Sequence, residues 1–149
     1  MNTSNNPQSF DLRAKTWDSD PMKTARAQVV ADAIRALIPQ TDGMCGFEYG
    51  CGTGLLSFAL QANLRRITMA DSSTGMLDVL REKIAAADIA NMTPVRLDLT
   101  TDPLPVERFN IVYSLMTFHH ILDTAKILDD LYVLLAPHGY LCIADLDSE

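Results

Sequence analysis

The sequence contains no apolar run near the roughly 20 residues that a membrane-crossing helix requires. Its first nine residues, Met-Asn-Thr-Ser-Asn-Asn-Pro-Gln-Ser, are polar and lack the apolar stretch of a signal peptide. A membrane partner is therefore not expected. Cysteine is scarce: three residues, an odd number without C-x-x-C spacing, argue against a disulfide framework and a zinc site. Cys45 and Cys142 fall in expected strands and read as small buried hydrophobes, which favours the reducing cytoplasm. No His, Asp and Glu cluster has metal-ligand spacing, so no metal is expected. Positive charge is also short. The net charge is −7, and residues 101–149 carry only Arg108 and Lys126 against eight acids. A nucleic acid needs a basic patch, so neither DNA nor RNA is an expected partner. Repeats, low-complexity tracts and Gly/Ser linkers are absent too. With 48% apolar content, 149 residues suffice for a single domain with its own core.

What the chain does have is concentrated in Glu48-Tyr49-Gly50-Cys51-Gly52-Thr53-Gly54. Met44, Cys45 and Phe47 upstream read as a buried strand, and Leu55, Phe58, Ala59 and Ala62 downstream recur at helical spacing. A strand that turns through alternating glycines into a helix lets the backbone approach a ligand closely. The dinucleotide pattern G-x-G-x-x-G would need glycine where Leu55 stands. The pattern here is E-x-G-x-G-x-G, and the acid suits a cationic ligand better than a pyrophosphate.

Strands and helices alternate along the chain, the sign of a parallel sheet covered on both faces. Ser19-Asp20-Pro21 caps a helix over 21–38, with Ala25, Val29, Ala33, Ile34, Leu37 and Ile38 as its expected buried stripe. Strands are expected at 44–49 and 66–70, near Val95 and Leu97 ending at Asp98, at 109–114, and at 140–144. A helix over 73–88 buries Met76, Leu77, Leu80, Ile84 and Ala87. Another presents Ile127, Leu128, Leu131, Leu134 and Leu135 before Pro137-His138-Gly139 stops it.

With these motifs in register, residues 40–145 resemble the class I S-adenosylmethionine-dependent methyltransferases. The matching stations are the glycine loop, Asp71-Ser72 with Met76, Asp98-Leu99, Phe109–Ser114, and Leu135–Leu141. The resemblance implies a Rossmann-like, doubly wound α/β sheet. That family's sheet usually has seven strands, ordered 3-2-1-4-5-7-6. Five are expected here, in order 3-2-1-4-5 and without the usual last two, either through truncation or in a minimal member whose fifth strand is an edge open to a second copy. Monomer and homodimer both stay open. Residues 1–40 would form a helical lid and residues 41–149 the cofactor core.

The resemblance also implies roles for residues. Glu48 would face the amino group of S-adenosylmethionine, while Tyr49, Gly50, Cys51, Gly52 and Gly54 wrap its methionine part. Asp71, 21 residues after Gly50, would accept the ribose hydroxyls, beside Ser72. Asp71 also reads as a helix cap, Met76 as an adenine contact or a core residue. Asp98 and Leu99 would read adenine, although an Asx turn is the plainer role for Asp98. Ser114 closes the fourth strand at the site, and Trp17 closes over the methionine end or anchors the core. The segment Ser114-Leu115-Met116-Thr117-Phe118-His119-His120 lacks the signatures of enzymes that methylate DNA bases. It resembles small-molecule methyltransferases, with His119 or His120 as a base or as a packing residue. The leading expectation is methyl transfer to a small-molecule acceptor. The alternatives are a cofactor-binding but inactive methyltransferase-like domain or partner subunit, and a nicotinamide oxidoreductase.

Overall fold

Asp20 starts the longest helix by accepting the Met22 N–H at 3.0 Å, and Pro21 fits the first turn because no N–H is needed there. In the computed structural model, which describes residues 6–39 and 41–147, this helix is α2 (Pro21–Leu37). It is preceded by α1 (Pro7–Arg13) and a 3-10 turn (Ala14–Ser19), both within the stretch expected to be a helical lid. The polar residues 1–5, Gln40 at the expected lid boundary, and the last two residues lie outside the described residues. Then follow β1 (Cys45–Tyr49), α3 (Leu55–Leu60), β2 (Arg66–Asp71), α4 (Thr74–Ala86), β3 (Met92–Arg96), β4 (Phe109–Leu115), α5 (Thr124–Val133) and β5 (Leu135–Ala144).

The strands form one sheet of order β3-β2-β1-β4-β5, and every pairing is parallel. This is the expected doubly wound architecture. Side-chain alternation divides the core. Ile67, Met69, Ile111 and Tyr113 face α2, α3 and α4, whereas Phe47, Ala70, Phe109 and Val112 face α5. Among the described residues no helix is long and apolar enough to cross a membrane.

Several local expectations are corrected. The buried stripe of α2 is Ala27, Ala31, Ile34 and Ile38, while Val29 and Leu37 are exposed at 67% and 79%. The small alanines let α2 come close to Leu56 and Leu60 of α3, so close approach outweighs side-chain size. On α4, Ala87 is exposed rather than buried. Strand β3 begins at Met92 and stops before Leu97. It includes Pro94, tolerated because an edge strand leaves one row of backbone groups unpaired. Leu135 belongs to β5, and Pro137-His138-Gly139 forms an irregularity inside that strand, with His138 at φ +63°. Cys45 and Cys142 are half-buried, and Cys51 is the buried thiol.

Gly54 opens α3 at φ +85°, where a Cβ would lie 2.6 Å from Met69 Cε and 2.7 Å from Leu80 Cδ1. Both backbone strain and overpacking oppose a side chain there. Gly54→Ala is expected to cost roughly 2–5 kcal/mol, and Gly43→Ala, with open space around it, close to nothing. Urea titration of the two variants checks this; equal midpoints would refute it.

Candidate functional site

The loop after β1 is held by the end of β2. Gly50 and Cys51 both donate their N–H groups to the Ala70 carbonyl, at 2.8 and 2.9 Å. Gly52 N–H donates to Asp71 Oδ2 at 2.7 Å, and Ser73 N–H to Asp71 Oδ1 at 2.8 Å. Gly50 is packed, since a Cβ would stand 2.2 Å from Thr117 Oγ1. Gly52 is different: its φ is +55°, and the nearest atom to an added Cβ is Met76 Sδ at 4.0 Å. Its bare backbone therefore faces space rather than protein.

That space is a cavity of about 590 Å³, within the range of small-ligand sites and at the carboxyl ends of the strands. Glu48, Gly50, Gly52, Asp71, Met76 and Asp98 line its inner wall. Phe10 and Trp17 contribute the N-terminal side, and Met116, Thr117 and His120 the side after β4. The N-terminal side is clipped down by two carboxylates. Asp11 Oδ1 accepts from Ser73 Oγ at 2.6 Å and from Gly75 N–H at 2.7 Å. Asp18 accepts from Lys83 Nζ at 2.6 Å and from the Thr53 hydroxyl.

Burial dominates the electrostatics. Glu48 is 2% exposed and sits on the α2–α4 side of β1. Burial pushes its carboxyl up to about 8, the Ser57 hydrogen bond opposes this, and the Asp71 charge adds to it. Ser57 Oγ donates to Glu48 Oε1 at 2.6 Å and lies 2.7 Å from the Tyr113 hydroxyl. Asp71 is also raised by burial, in spite of the N–H groups of Ser73 and Gly52. Burial drives the Cys51 thiol well up, so it is a neutral lining group.

The structure brings Trp17, Glu48, Tyr49, Gly50, Cys51, Gly52, Asp71, Ser72, Met76, Asp98 and His120 to the cavity wall. Four expected site residues are not among its lining. Gly54 is enclosed by Met69 and Leu80. Ser114 donates its hydroxyl to the Tyr49 carbonyl at 2.8 Å. The Leu99 N–H, expected to face a ligand, donates to the Tyr49 hydroxyl at 3.1 Å. His119 turns to Asp145, with Nδ1 2.7 Å from Oδ1. Asp98 does form the Asx turn, accepting from Thr100 N–H at 3.0 Å, while still lining the cavity. Sequence reasoning missed Lys23, Arg26 and Lys126 on the wall, where Phe10 of the expected lid also lies. The i, i+3 spacing of Lys23 and Arg26, beside buried Ala27, was the available signal for two of them.

Residues 47–139 match the family model described as a methyltransferase domain, and the chain belongs to that family. An uncharacterized methyltransferase of Schizosaccharomyces pombe is 33% identical over 111 residues, covering 70% of this chain and 39% of that protein. A demethylmenaquinone methyltransferase of Clavibacter sepedonicus is 31% identical over 101 residues, covering 68% of this chain and 40% of that one. Among solved structures, the DhpI–SAM–HEP complex aligns with a TM-score of 0.78 at 19% identity, over 95% of this chain and 64% of that chain. That likeness is one of fold. The chain spans about two fifths of the length of these two curated relatives.

Glu48 gives the site a measurable pH signature. Its carboxyl titrates near 4.5 in the unfolded chain and near 8 in the folded one. Between these values only the folded state holds the proton. The group's stabilising contribution is complete below pH 4.5 and is lost as pH rises through 8, a total of roughly 5 kcal/mol. Glu48→Gln, neutral at every pH, is expected to flatten the decline in urea stability between pH 5 and pH 8.5. An unchanged slope would show that Glu48 is ionised in the folded protein.

Proposed function

We propose that this domain binds S-adenosylmethionine in the cavity and transfers its methyl group to a small-molecule acceptor. The observation that carries the reading is the Gly52 backbone facing open space while the Asp71 carboxylate braces it from behind. A carboxylate has about four acceptor positions, and Asp71 uses one on each oxygen for backbone N–H groups. Its remaining positions are suited to a pair of ribose hydroxyls. Met76 and Leu97 supply apolar wall near Asp98, as a flat purine requires. Glu48, neutral at pH 7 without a ligand, would ionise beside an ammonium or sulfonium and pair with it.

The chemistry this cofactor supplies is an electrophilic methyl group on a positively charged sulfur. The chain's own task is then to align an acceptor in line with that methyl group and to keep water away, and positioning alone removes much of the barrier. Phe10 and Trp17, with ring centroids 6.0 Å apart, form an apolar cover over the cavity. His120 is the histidine on the cavity wall, and we assign it the acceptor-facing role. His119, its ring 3.8 Å from that of His120 and held by Asp145, is a positioning residue.

Similarity to a demethylmenaquinone methyltransferase supports a small acceptor. So do the apolar Met116, Ile121 and Leu122 at the mouth. The free thiols suit the cytoplasm as the working compartment.

Calorimetric titration with S-adenosylhomocysteine is expected to show binding, and titration with NADH none. Asp71→Asn should weaken S-adenosylhomocysteine by about 10- to 100-fold, the loss of charge-assisted hydrogen bonds to a buried carboxylate. Unchanged affinity in that variant would remove Asp71 from the site. An acceptor screen with tritiated S-adenosylmethionine then tests transfer itself.

A further inference from the structure

The loop that follows β3 uses up its own backbone donors. All six N–H groups from Leu97 to Asp102 have acceptors within the protein. Leu97 donates to the Asp71 carbonyl at 3.0 Å, Asp98 to Asp102 Oδ2 at 2.8 Å, and Thr100 to Asp98 Oδ1 at 3.0 Å. Thr101 and Asp102 both donate to the Asp98 carbonyl. Leu99 is held twice, its N–H by the Tyr49 hydroxyl at 3.1 Å and its carbonyl by Lys126 Nζ at 2.8 Å. Backbone amides are obligatory donors, so a segment whose amides are all spent has none left for a ligand. Asp98 spends Oδ1 on the N–H and hydroxyl of Thr100, and its Oδ2 has no partner among the described residues. Leu97, Asp98 and Thr100 line the cavity. Their backbone offers it acceptors only.

Tyr49 holds the missing donor. A phenol has one O–H and two lone pairs. Tyr49 uses a lone pair on the Leu99 N–H, and its own proton has no acceptor among the described residues. The side chain packs with Leu97 and Leu99 on the α5 side of the sheet. The residue is 6% exposed and lines the cavity. Burial pushes its hydroxyl up to about 12, so the proton stays in place at neutral pH. Its backbone belongs to the glycine loop, but its hydroxyl sits beside Leu99.

We infer that the Tyr49 hydroxyl, not a backbone amide, reads the base of the bound nucleoside, donating to a ring nitrogen beside the amine that Asp98 Oδ2 accepts. The inference deepens the methyl-donor reading and rests on it. A donor and an acceptor side by side match an amine and its neighbouring ring nitrogen, N1 or N7 of adenine. A site built this way rejects a ring without that nitrogen, because the O–H is then left unpaired.

Adenosine, 1-deazaadenosine and 7-deazaadenosine test this in the full chain, since each deaza compound lacks one of the two nitrogens flanking the amine. Trp17, the only tryptophan and part of the cavity wall, reports binding by its fluorescence. Wild type is expected to bind one deaza compound about 5- to 50-fold more weakly than adenosine. In Tyr49→Phe that ratio falls to about 1, because adenosine weakens and the deaza compound does not. The Leu99 N–H freed in Tyr49→Phe still faces the edge of the ring, so it does not take over as donor. Protein made with 3-fluorotyrosine, a stronger O–H donor, shifts the ratio upward. Tyr49 is the one tyrosine on the wall among the described residues, and this arm decides the matter even where Tyr49→Phe melts too low to assay. Equal binding of all three nucleosides to wild type overturns the inference and leaves the cofactor reading standing. A ratio unchanged in Tyr49→Phe also overturns it, as expected of a residue that only props Leu99. Wild type that binds neither adenosine nor S-adenosylhomocysteine brings down the cofactor reading and this inference together.

Discussion

The site depends on two neighbouring acceptors at the end of β2. The Ala70 carbonyl takes the N–H groups of both Gly50 and Cys51, and the Asp71 carboxylate takes that of Gly52. Three successive donors of a loop that has left its strand are thereby satisfied by the adjacent strand. Without them a buried turn would carry unpaired backbone N–H groups, each costing about 1–3 kcal/mol. The same arrangement leaves the other side of the loop bare. A loop braced from behind by backbone and carboxylate can stay rigid while its open face is free for a ligand. The parallel register of β1 and β2, Tyr49 opposite Ala70, brings these acceptors to the correct height.

Alternation along β1 then decides the fate of Glu48. Phe47 faces α5 and must be apolar, so Glu48 points the other way, among Met69, Tyr113 and the helices. Among the described residues Ser57 and, through it, Tyr113 offer hydroxyls there. Hydrogen bonding from Ser57 does not compensate for removing a full charge from water, so the acid holds its proton. The result is a strand end that carries no charge at Glu48 at pH 7.

The parallel sheet was legible because strands and helical faces alternate, and its order followed from the family resemblance carried by the glycine loop and the strand-end acids. Fine placement was less so, for reasons visible at particular residues. Periodicity on α2 favoured Val29 and Leu37, yet the contact with α3 selected Ala27 and Ala31 by their small size. No single-helix pattern encodes what the partner helix needs. Leu99 and Ser114 occupied the expected positions but were both drawn to Tyr49, whose hydroxyl and carbonyl serve as internal partners. A tyrosine in the middle of a glycine motif looks like ligand wall in one dimension, and its reach to Leu99, 50 positions away, appears only in three. Asp145 was likewise unreadable as the partner of His119, because the pairing depends on β5 lying beside β4.

The N-terminal segment carries the remaining logic of the site. Phe10, Trp17, Lys23 and Arg26 all come from residues before β1. They reach the cavity because Asp11 seats on Ser73 and Gly75 at the start of α4, where a helix N-terminus favours an anion. Gly75 permits that close seating, since a Cβ there would lie 2.7 Å from the Asp11 backbone. Asp18 repeats the device with Lys83 and Thr53. Two carboxylates of the segment are thus consumed in docking, which leaves its aromatic and cationic side chains to the cavity. Asp71 and Asp98 after β2 and β3 bring carboxylates to the cavity, and Lys23 and Arg26 of the docked segment bring cations. The cavity's polarity therefore exists only once residues more than 60 positions apart, such as Asp11 and Ser73, have met.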